Sequence, residues 1–302
     1  MARIPPPPVD RLEYLVAVAA GDDEALVTDP AGPALVAGVF GDHSVVELPG
    51  YAAPGWLADT AAEFESPQPI SVTSGDVTVA GELWSPAGVG VDTELPLLVV
   101  HDGPEYDQYA RLGHYLGTLA GHDGRFRCRV LLLGPVDRDR TYSALPEYAN
   151  LLVEHVLPLA RGLAATTGPP VGVGASLGAV GLMHAAVRHP GTFAGLLLQS
   201  GSFFLPDLDA HERRFPYFDR VLDFVTGIDT EPGRLAGLSL AVTAGLGEEN
   251  LDNNRALVDR LRAAGVTVSL AEGRDGHNHV AWRDLLDPAL SDLLRRVWAI
   301  EG

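Results

Sequence analysis

The chain contains no lysine: its 21 basic side chains are all arginines, against 40 acidic ones, and the formal net charge is -19. Without a lysine amine, the chain can form neither a Schiff base nor the phosphate contact of a P-loop. Nucleic acids and anionic lipids bind through basic patches, so this acidic balance argues against both as partners. We therefore expect a small molecule as the partner, with no nucleic acid and no membrane.

Cysteine is almost absent, since Cys128 is the only one in the sequence. A single thiol cannot form an internal disulfide, and its place before an apolar run predicts a buried strand edge rather than a nucleophile. No apolar run approaches the roughly 20 residues that a membrane span requires. The first ten residues also lack the basic and hydrophobic regions of a signal peptide. The sequence thus predicts a cytoplasmic protein.

The pattern of the chain changes near residue 68. Before it lie a proline run at 5–8, a stretch at 11–20 that favours a short helix, and brief β-like runs. After it, short apolar runs alternate with helix-length segments, which is typical of a mostly parallel, doubly wound α/β sheet. We predict a small N-terminal segment over 1–68 and a catalytic domain over 69–302. The predicted helices of that domain cover 107–120, 145–165, 177–189, 211–227 and 250–264.

The stretch VGVGASLGAV, residues 171–180, is the most informative one and places Ser176 between Gly174 and Gly178. An apolar run precedes it and a helix-compatible run follows, which is the context of the nucleophile elbow in serine α/β-hydrolases. The nucleophile of such an elbow lies on a strained turn that tolerates only small neighbours. We expect Ser176 to be the nucleophile and the backbone N–H of Leu177 to be one donor to the oxyanion.

A serine nucleophile needs a histidine as its base and an acid that orients the histidine, and in this fold the chain order is serine, acid, histidine. His277 follows the last predicted strand and precedes the final helix, with His279 as the alternative. Glu248 is the first carboxylate after the preceding strand and is best placed to orient the imidazole. Glu249 and Asp252 are the alternatives, although either can instead stabilise the start of the next helix.

Four stretches carry a family resemblance: LLVVHDGPEYD, DRDRTYSALPEYANLLVEHVLP, GVGASLGAVGLMHAAVRHPGTFAGLLLQSGSF and DGHNHVAWRDLL. They resemble the esterase D group of α/β-hydrolases, and most of all its enterochelin (ferric enterobactin) esterase-like proteins. The resemblance implies an α/β-hydrolase fold and a serine esterase that works through an acyl-enzyme without cofactor or metal. Its substrate would be a siderophore-type (catecholate trilactone) or aryl ester. The alternatives are acyl transfer, as in the related mycolyltransferases, and a weakly catalytic binding protein.

The resemblance places the second oxyanion donor on the residue after an Asp-Gly pair, and in this chain that residue is Pro104, which has no N–H. Gly103 or Glu105 could donate instead if the loop is displaced, or the Tyr106 hydroxyl could do so. The remaining alternative is an incomplete oxyanion hole, and the loss of one donor typically slows turnover about a hundred- to a thousandfold.

Three further residues are candidates for substrate binding. Arg138 and Arg140 follow a core strand and could meet an anionic substrate group, as a corresponding arginine does in the siderophore esterases. The alternative for both is a surface ion pair with a neighbouring aspartate. Phe203 lies where hydrolases often build an acyl or aryl pocket, although plain core packing is an alternative. We therefore expect an ester substrate with room for an anionic group.

Overall fold

The computed structural model describes residues 8–20, 23–32, 34–65, 67–228 and 230–300, so most of the proline run lies outside the described residues. Short strands come first along the chain. They are β1 (Arg11–Tyr14), β2 (Val16–Ala20), β3 (Asp23–Val27), β4 (Ala34–Gly38) and β5 (Gly41–Glu47). The first, fifth and fourth form a small antiparallel sheet, and β2 pairs with β3 as a separate hairpin.

A large sheet forms the centre of the molecule. Its strands are β6 (Gln68–Ser74), β7 (Val77–Trp84), β8 (Leu95–His101), β9 (Arg129–Pro135), β10 (Thr166–Ala175), β11 (Gly195–Gln199), β12 (Ser239–Gly245) and β13 (Val268–Gly273). Within the described ranges the order is β13-β12-β11-β10-β8-β9-β7-β6. The strands from β13 to β9 in this order run parallel to one another. Strand β7 is antiparallel to β9, and β6 is antiparallel to β7. The predicted mostly parallel α/β fold is confirmed.

Helices cover both faces of this sheet. They are α1 (Gly103–Ala110), α2 (Leu112–His122), α3 (Arg138–Tyr142), α4 (Pro146–Leu151), α5 (Leu157–Leu163), α6 (Leu177–Arg188), α7 (Phe218–Gly227), α8 (Leu251–Ala263), α9 (His279–Asp284) and α10 (Leu286–Val297). Strand β8 shows why both faces need cover: Leu97 and Val99 pack into one apolar cluster, and Leu98 and Val100 into the other. A strand buried on both faces has a continuous apolar sequence.

The order of the strands creates a crevice between β8 and β10. The chain leaves β8 to form β9 on one side and later forms β10 on the other, so the direction of winding reverses between these two neighbours. In open α/β sheets, ligands bind at such a switch point, beyond the carboxyl ends of the strands. Asp102 follows β8 directly and Ser176 follows β10 directly. The fold therefore brings two segments with candidate site residues to one crevice.

The short helix predicted over 11–20 is wrong, because these residues form β1 and β2. Their larger apolar side chains alternate with smaller or polar ones, and Leu12 and Tyr14 pair with Val46 and Ser44 of β5. This two-residue period and the strand pairing outweigh the helix propensity of leucine and alanine. The division of the chain at residue 68 stays a prediction.

The predicted helices differ mainly in length. The segment 107–120 is divided at Arg111, whose φ of 56° belongs to the left-handed region. The segment 145–165 contains a π-helical turn at Leu152–Val156, and in 211–227 the α-helix begins only at Phe218.

Cys128 is buried before β9, and burial raises the pKa of its thiol to about 12. No helix in the described part of the chain is long and apolar enough to cross a membrane; the cytoplasmic location stays a prediction.

Candidate active site

Ser176 lies on a sharp turn between β10 and α6 with φ 53° and ψ -127°, a conformation that costs a non-glycine residue backbone strain. Its N–H donates to the carbonyl of Gln199 at 3.0 Å, and its own carbonyl accepts from Ser202 N at 3.2 Å. A Cβ on Gly174 would lie only 2.7 Å from the backbone of Gly178. The two glycines of the motif therefore allow β10 and α6 to meet closely enough for the turn to form.

The hydroxyl of Ser176 lies 3.1 Å from that of Ser202, at hydrogen-bond distance. Ser202 was missed in the sequence because a serine after a strand carries no distinctive signal. His277 lines the same two cavities as Ser176. The strand ends of β10 and β13 have thus brought a serine hydroxyl and an imidazole to one place, as the chain order of the motifs predicts.

Glu248 lies behind His277, with its Oε2 atom 3.4 Å from the imidazole Nδ1. The side chain of Glu248 is completely buried, and its oxygens make no hydrogen bond to any described residue, so the approach to His277 Nδ1 is an ion-pair contact rather than a formed hydrogen bond. Because a buried carboxylate is costly without a partner, this one favours a proton on the facing imidazole nitrogen. Catalytic hydrogen bonds are often long in a free enzyme and shorten when substrate binds. The contact can therefore orient and charge-stabilise the ring.

The alternatives for the base and the acid have other surroundings, although His279 lines one of the two cavities beside Ser176 and Glu249 lines the other. His279 packs among Tyr109, Tyr106 and Trp282, and burial lowers its pKa to about 4. Glu249 is exposed. Neither residue makes a contact like that between Glu248 and His277. Asp252, likewise exposed, lies in the first turn of α8 and forms an ion pair with an arginine of that helix.

Two helix starts flank the nucleophile. Leu177 is the first residue of α6 and Gly103 the first of α1, so neither N–H has an acceptor within its own helix. Pro104 occupies the second position of α1, where a helix requires no N–H. The Tyr106 hydroxyl is buried and donates to Gln199 Oε1 at 3.0 Å, so it is directed away from the cavity. Because its N–H is not used within α1, Gly103 stays the candidate for the second oxyanion donor.

A buried network of hydrogen bonds around His101 stabilises the turn at Ser176. His101 Nδ1 lies 2.9 Å from the carbonyl of Gly178, and its Nε2 lies 2.5 Å from the Tyr148 hydroxyl. The ring stacks on Tyr142 at a centroid distance of 4.2 Å. Burial lowers the pKa of His101 to about 3, so the ring is neutral at ordinary pH. It links the end of β8 to the first turn of α6.

Arg138 and Arg140 have different surroundings. Arg138 lines the larger cavity, but its guanidinium is already engaged by Asp102, with Nε–Oδ1 at 2.9 Å and Nη2–Oδ2 at 2.7 Å. Arg140 is not among the residues that line this cavity and pairs with Asp76 at 2.7 Å. Both arginines thus pair mainly with aspartates that are distant in the sequence, not with the neighbouring ones. The exception is a 4.0 Å contact between Arg138 and Asp139.

Phe203 is fully buried in the core, so it does not line a cavity, whereas Phe204 and Phe215 line the smaller one, of about 150 Å³. The larger cavity, of about 310 Å³, lies between the catalytic face and the N-terminal strands. The N-terminal residues that line it are Glu13, Val36, Ala37, Gly38, Val39, Phe40 and His43. No local sequence signal marks these residues, since only the tertiary fold brings them to Ser176.

Among the described residues, no group of three or more histidine, cysteine, aspartate or glutamate side chains is arranged to hold a metal ion. The polar groups that converge at the cavity are instead the hydroxyls of Ser176 and Ser202, the His277 imidazole and the helix starts. This set is suited to attack on a carbonyl carbon and to binding of the resulting oxyanion.

The chain is similar to several esterases. It is 24% identical over 277 residues to the iron(III) enterobactin esterase of Escherichia coli O6:H1, a match that covers 88% of this chain and 67% of that protein. The crystal structure of enterochelin esterase from Shigella flexneri matches with a TM-score of 0.72 and 22% identity, over 90% of this chain and 70% of that one. A ferulic acid esterase matches with a TM-score of 0.65 and 17% identity, over 78% of this chain and 100% of that one. No protein-family model matches the sequence.

These findings confirm the resemblance to enterochelin esterase-like proteins and the α/β-hydrolase fold. At these identities the matches to solved structures establish the fold alone.

If Gly103 and Leu177 are the two oxyanion donors, Pro104→Ala should change turnover on a neutral p-nitrophenyl ester by less than about threefold, because the proline supplies no donor of its own. Steady-state kinetics provides the measurement. Pro146→Ala, which alters the first residue of α4, controls for the general effect of replacing a proline in the first turn of a helix. A tenfold or larger gain in Pro104→Ala would indicate that the oxyanion hole is incomplete.

Acidification should destabilise the protein through His101. Burial lowers the pKa of His101 in the folded protein to about 3 from its ordinary value of 6.5, so between these pH values the unfolded chain binds a proton that the folded chain does not. The free energy of unfolding therefore loses nothing to His101 well above pH 6.5, and it decreases as the pH falls below that value. His101 should account for a loss of about 2 kcal/mol in unfolding free energy at pH 5.

Urea unfolding of wild type and His101→Gln at pH 7 and pH 5 measures this loss. The variant should be less stable than wild type at both pH values. Its unfolding free energy should, however, fall by about 2 kcal/mol less than that of wild type between pH 7 and pH 5. Replacement of the exposed His155 by glutamine is the matched control and should leave the wild-type drop unchanged. An equal drop in His101→Gln and wild type would contradict a neutral buried His101.

Proposed function

We propose that this protein is a serine esterase that hydrolyses a carboxylic ester through an acyl-enzyme. The observation that carries the proposal is the contact of Glu248 with His277 beside the strained turn of Ser176. A strained nucleophile position, a histidine and a buried acid behind that histidine form the set required for acyl transfer. The esterase activity of the similar proteins supports the same reaction class.

In the first half of the reaction, Ser176 Oγ attacks the ester carbonyl carbon while His277 takes the hydroxyl proton. Glu248 stabilises the resulting imidazolium through Nδ1. The carbonyl oxygen becomes an oxyanion, and the N–H groups of Leu177 and Gly103 donate to it. The C–O bond to the alcohol then breaks, and His277 returns the proton to that alcohol, which leaves the acyl group on the serine.

In the second half, water takes the place of the alcohol. His277 removes a proton from the water, whose oxygen attacks the acyl carbon. When the second oxyanion collapses, the bond from the acyl carbon to Ser176 Oγ breaks, the carboxylic acid leaves, and His277 gives its proton to Oγ, which restores the hydroxyl. The hydroxyl of Ser202, at 3.1 Å, is placed to hold Ser176 Oγ in position between turnovers. A hydroxyl other than water at the same step would give the acyl transfer that we regard as the second candidate.

The cavities on either side of Ser176 support an ester with two sizeable parts. The larger cavity, with its apolar wall at Val36, Val39 and Phe40, is suited to an aryl group, and the smaller one is bounded by Phe204 and Phe215. An aryl ester or a siderophore-type ester of the kind named for the similar enterobactin and ferulic acid esterases would occupy both.

The charge of the larger cavity favours an uncharged substrate. Arg138 is the guanidinium that lines it, and both oxygens of Asp102 already engage that group. Glu105 and Asp139 also line the cavity and add negative charge, whereas the Glu13 carboxylate in its lining is paired with Arg11. A strongly anionic ferric complex would therefore be repelled, whereas a metal-free, neutral ester would not. We propose a neutral aryl-type ester as the preferred substrate.

Ser176→Ala should retain less than about 1% of wild-type turnover on an activated ester and should not react with a fluorophosphonate probe, because it removes the nucleophile. Glu248→Gln should lose less activity than His277→Ala, since the acid only orients and stabilises the ring. Intact-protein mass measures the labelling, and steady-state kinetics the turnover.

Glu249→Gln is the matched control for the acid and should keep nearly full activity. A large loss there with none in Glu248→Gln would move the acid by one residue, and a loss in neither would indicate a serine–histidine dyad. A wild type that neither reacts with the probe nor turns over an activated ester would be a binding protein. Product analysis with an added alcohol separates hydrolysis from acyl transfer.

The negative charge at the larger cavity should make the enzyme prefer a neutral ester to an anionic one. Two p-nitrophenyl esters of equal length test this, one whose acyl chain ends in a methyl group and one whose acyl chain ends in a carboxylate. At low ionic strength the neutral ester should have about tenfold higher kcat/KM, and added salt should narrow the gap because it screens the repulsion. Glu105→Gln should also narrow it, whereas Glu154→Gln, an exposed site outside the cavity, should not. A preference for the anionic ester would instead assign Arg138 to the substrate.

A further inference from the structure

Arg11 connects the N-terminal sheet to the loop that carries His277. It lies on β1 and is only 3% exposed, although it is charged. Its Nη1 atom lies 2.7 Å from Glu13 Oε1, 3.3 Å from Asp275 Oδ2 and 3.4 Å from Asn278 Oδ1. Two of these three partners belong to the loop and lie on either side of the histidine.

The partners of Arg11 also set the shape of the loop. Asp275 Oδ1 accepts from Gly276 N at 2.7 Å and from Asn278 Nδ2 at 3.0 Å. Asn278 Oδ1 accepts from Ala281 N at 2.9 Å and so caps α9. Arg11 therefore touches the two side chains that fix the backbone immediately before and after His277.

The same loop contacts the segment that carries the acid. Gly247 N donates to the carbonyl of Asp275 at 3.0 Å, and Leu246 N donates to Gly273 at 2.7 Å. A Cβ on Gly245 would clash with the Asp275 carbonyl, so the two segments pack backbone to backbone. A displacement of Asp275 would thus move Glu248 relative to His277 as well.

The charges explain why the contact is specific. Burial alone would lower the pKa of Arg11, yet the pKa is raised because Glu13 and Asp275 stabilise the guanidinium. Asp275 is itself 7% exposed. If Arg11 were removed, this carboxylate would stay buried without its cation, which is strongly unfavourable, and the loop would shift to hydrate it.

We propose that Arg11 is a positioning residue for His277, so that the N-terminal strand β1 completes the catalytic site of the main sheet. The inference rests on the proposed function, in which His277 is the base. Arg11 touches neither the substrate cavity nor the reacting atoms, and it acts through Asp275 and Asn278. A misplacement of a catalytic group by about 1 Å can cost about a hundredfold in rate.

The test compares Arg11→Met, which keeps most of the apolar stem, with Arg274→Met. Arg274 is a matched control because it also joins the N-terminal segment to this loop, through Asp10 at 2.9 Å, but it is exposed. Arg11→Met should lower kcat on an activated ester about 10- to 100-fold with little change in KM. Arg274→Met should stay within about twofold of wild type.

Two further variants separate positioning from a general loss of structure. Arg11→Lys, which keeps the charge, should recover part of kcat. Asp275→Asn should lower kcat as well, and the double variant with Arg11→Met should lose less than the product of the two single effects, because both act through one contact. Circular dichroism and thermal melting verify that each variant is folded.

Amide hydrogen exchange gives a result that does not depend on the reaction. Arg11→Met should speed exchange at Gly276 and His277 more than tenfold, and Arg274→Met should not. A folded Arg11→Met with wild-type kcat and unchanged exchange overturns the proposal, and a change in KM alone reassigns Arg11 to substrate binding. Faster exchange together with an inactive wild type would support the positioning of the loop and contradict the esterase function instead.

Discussion

The strained turn at Ser176 is the constraint on which the rest of the site depends. Its positive φ is unfavourable for a serine and persists only because the surroundings fix it. Gln199 and Ser202 hold the peptide groups of the turn through hydrogen bonds, and Gly178 allows α6 to start at once. The neutral ring of His101 then ties α6 to the end of β8. The position of the hydroxyl is therefore determined by two neighbouring strands of the sheet.

The local features of the site could be predicted from the sequence. The glycines around Ser176, the apolar runs of a doubly buried sheet, and the order of serine, acid and histidine are each expressed within a few consecutive residues. They led to the confirmed fold and to a pair, Glu248 and His277, that lies in contact. Short-range patterns suffice here because steric requirements of a turn and burial of a strand act on adjacent residues.

The remaining features depend on contacts between distant segments. The pairing of Arg138 with Asp102 spans 36 residues, and that of Arg11 with Asp275 spans 264. Tyr106 follows the expected loop but faces the core, because α1 starts one residue after β8 and turns its side chain inward. The wall formed by the N-terminal strands was not foreseen, since the stretch at 11–20 has helix-forming residues and acquires its strand form through the pairing of β1 with β5 and of β2 with β3.

The central claim is that Ser176 attacks an ester carbonyl whose oxyanion is held between the starts of α1 and α6. The most direct measurement is a crystal structure of the enzyme after reaction with an alkyl fluorophosphonate. The phosphorus should be bonded to Ser176 Oγ, with the phosphoryl oxygen about 3 Å from the nitrogens of both Leu177 and Gly103. A label on another side chain, or an oxygen that contacts only one of these two groups, would contradict the account.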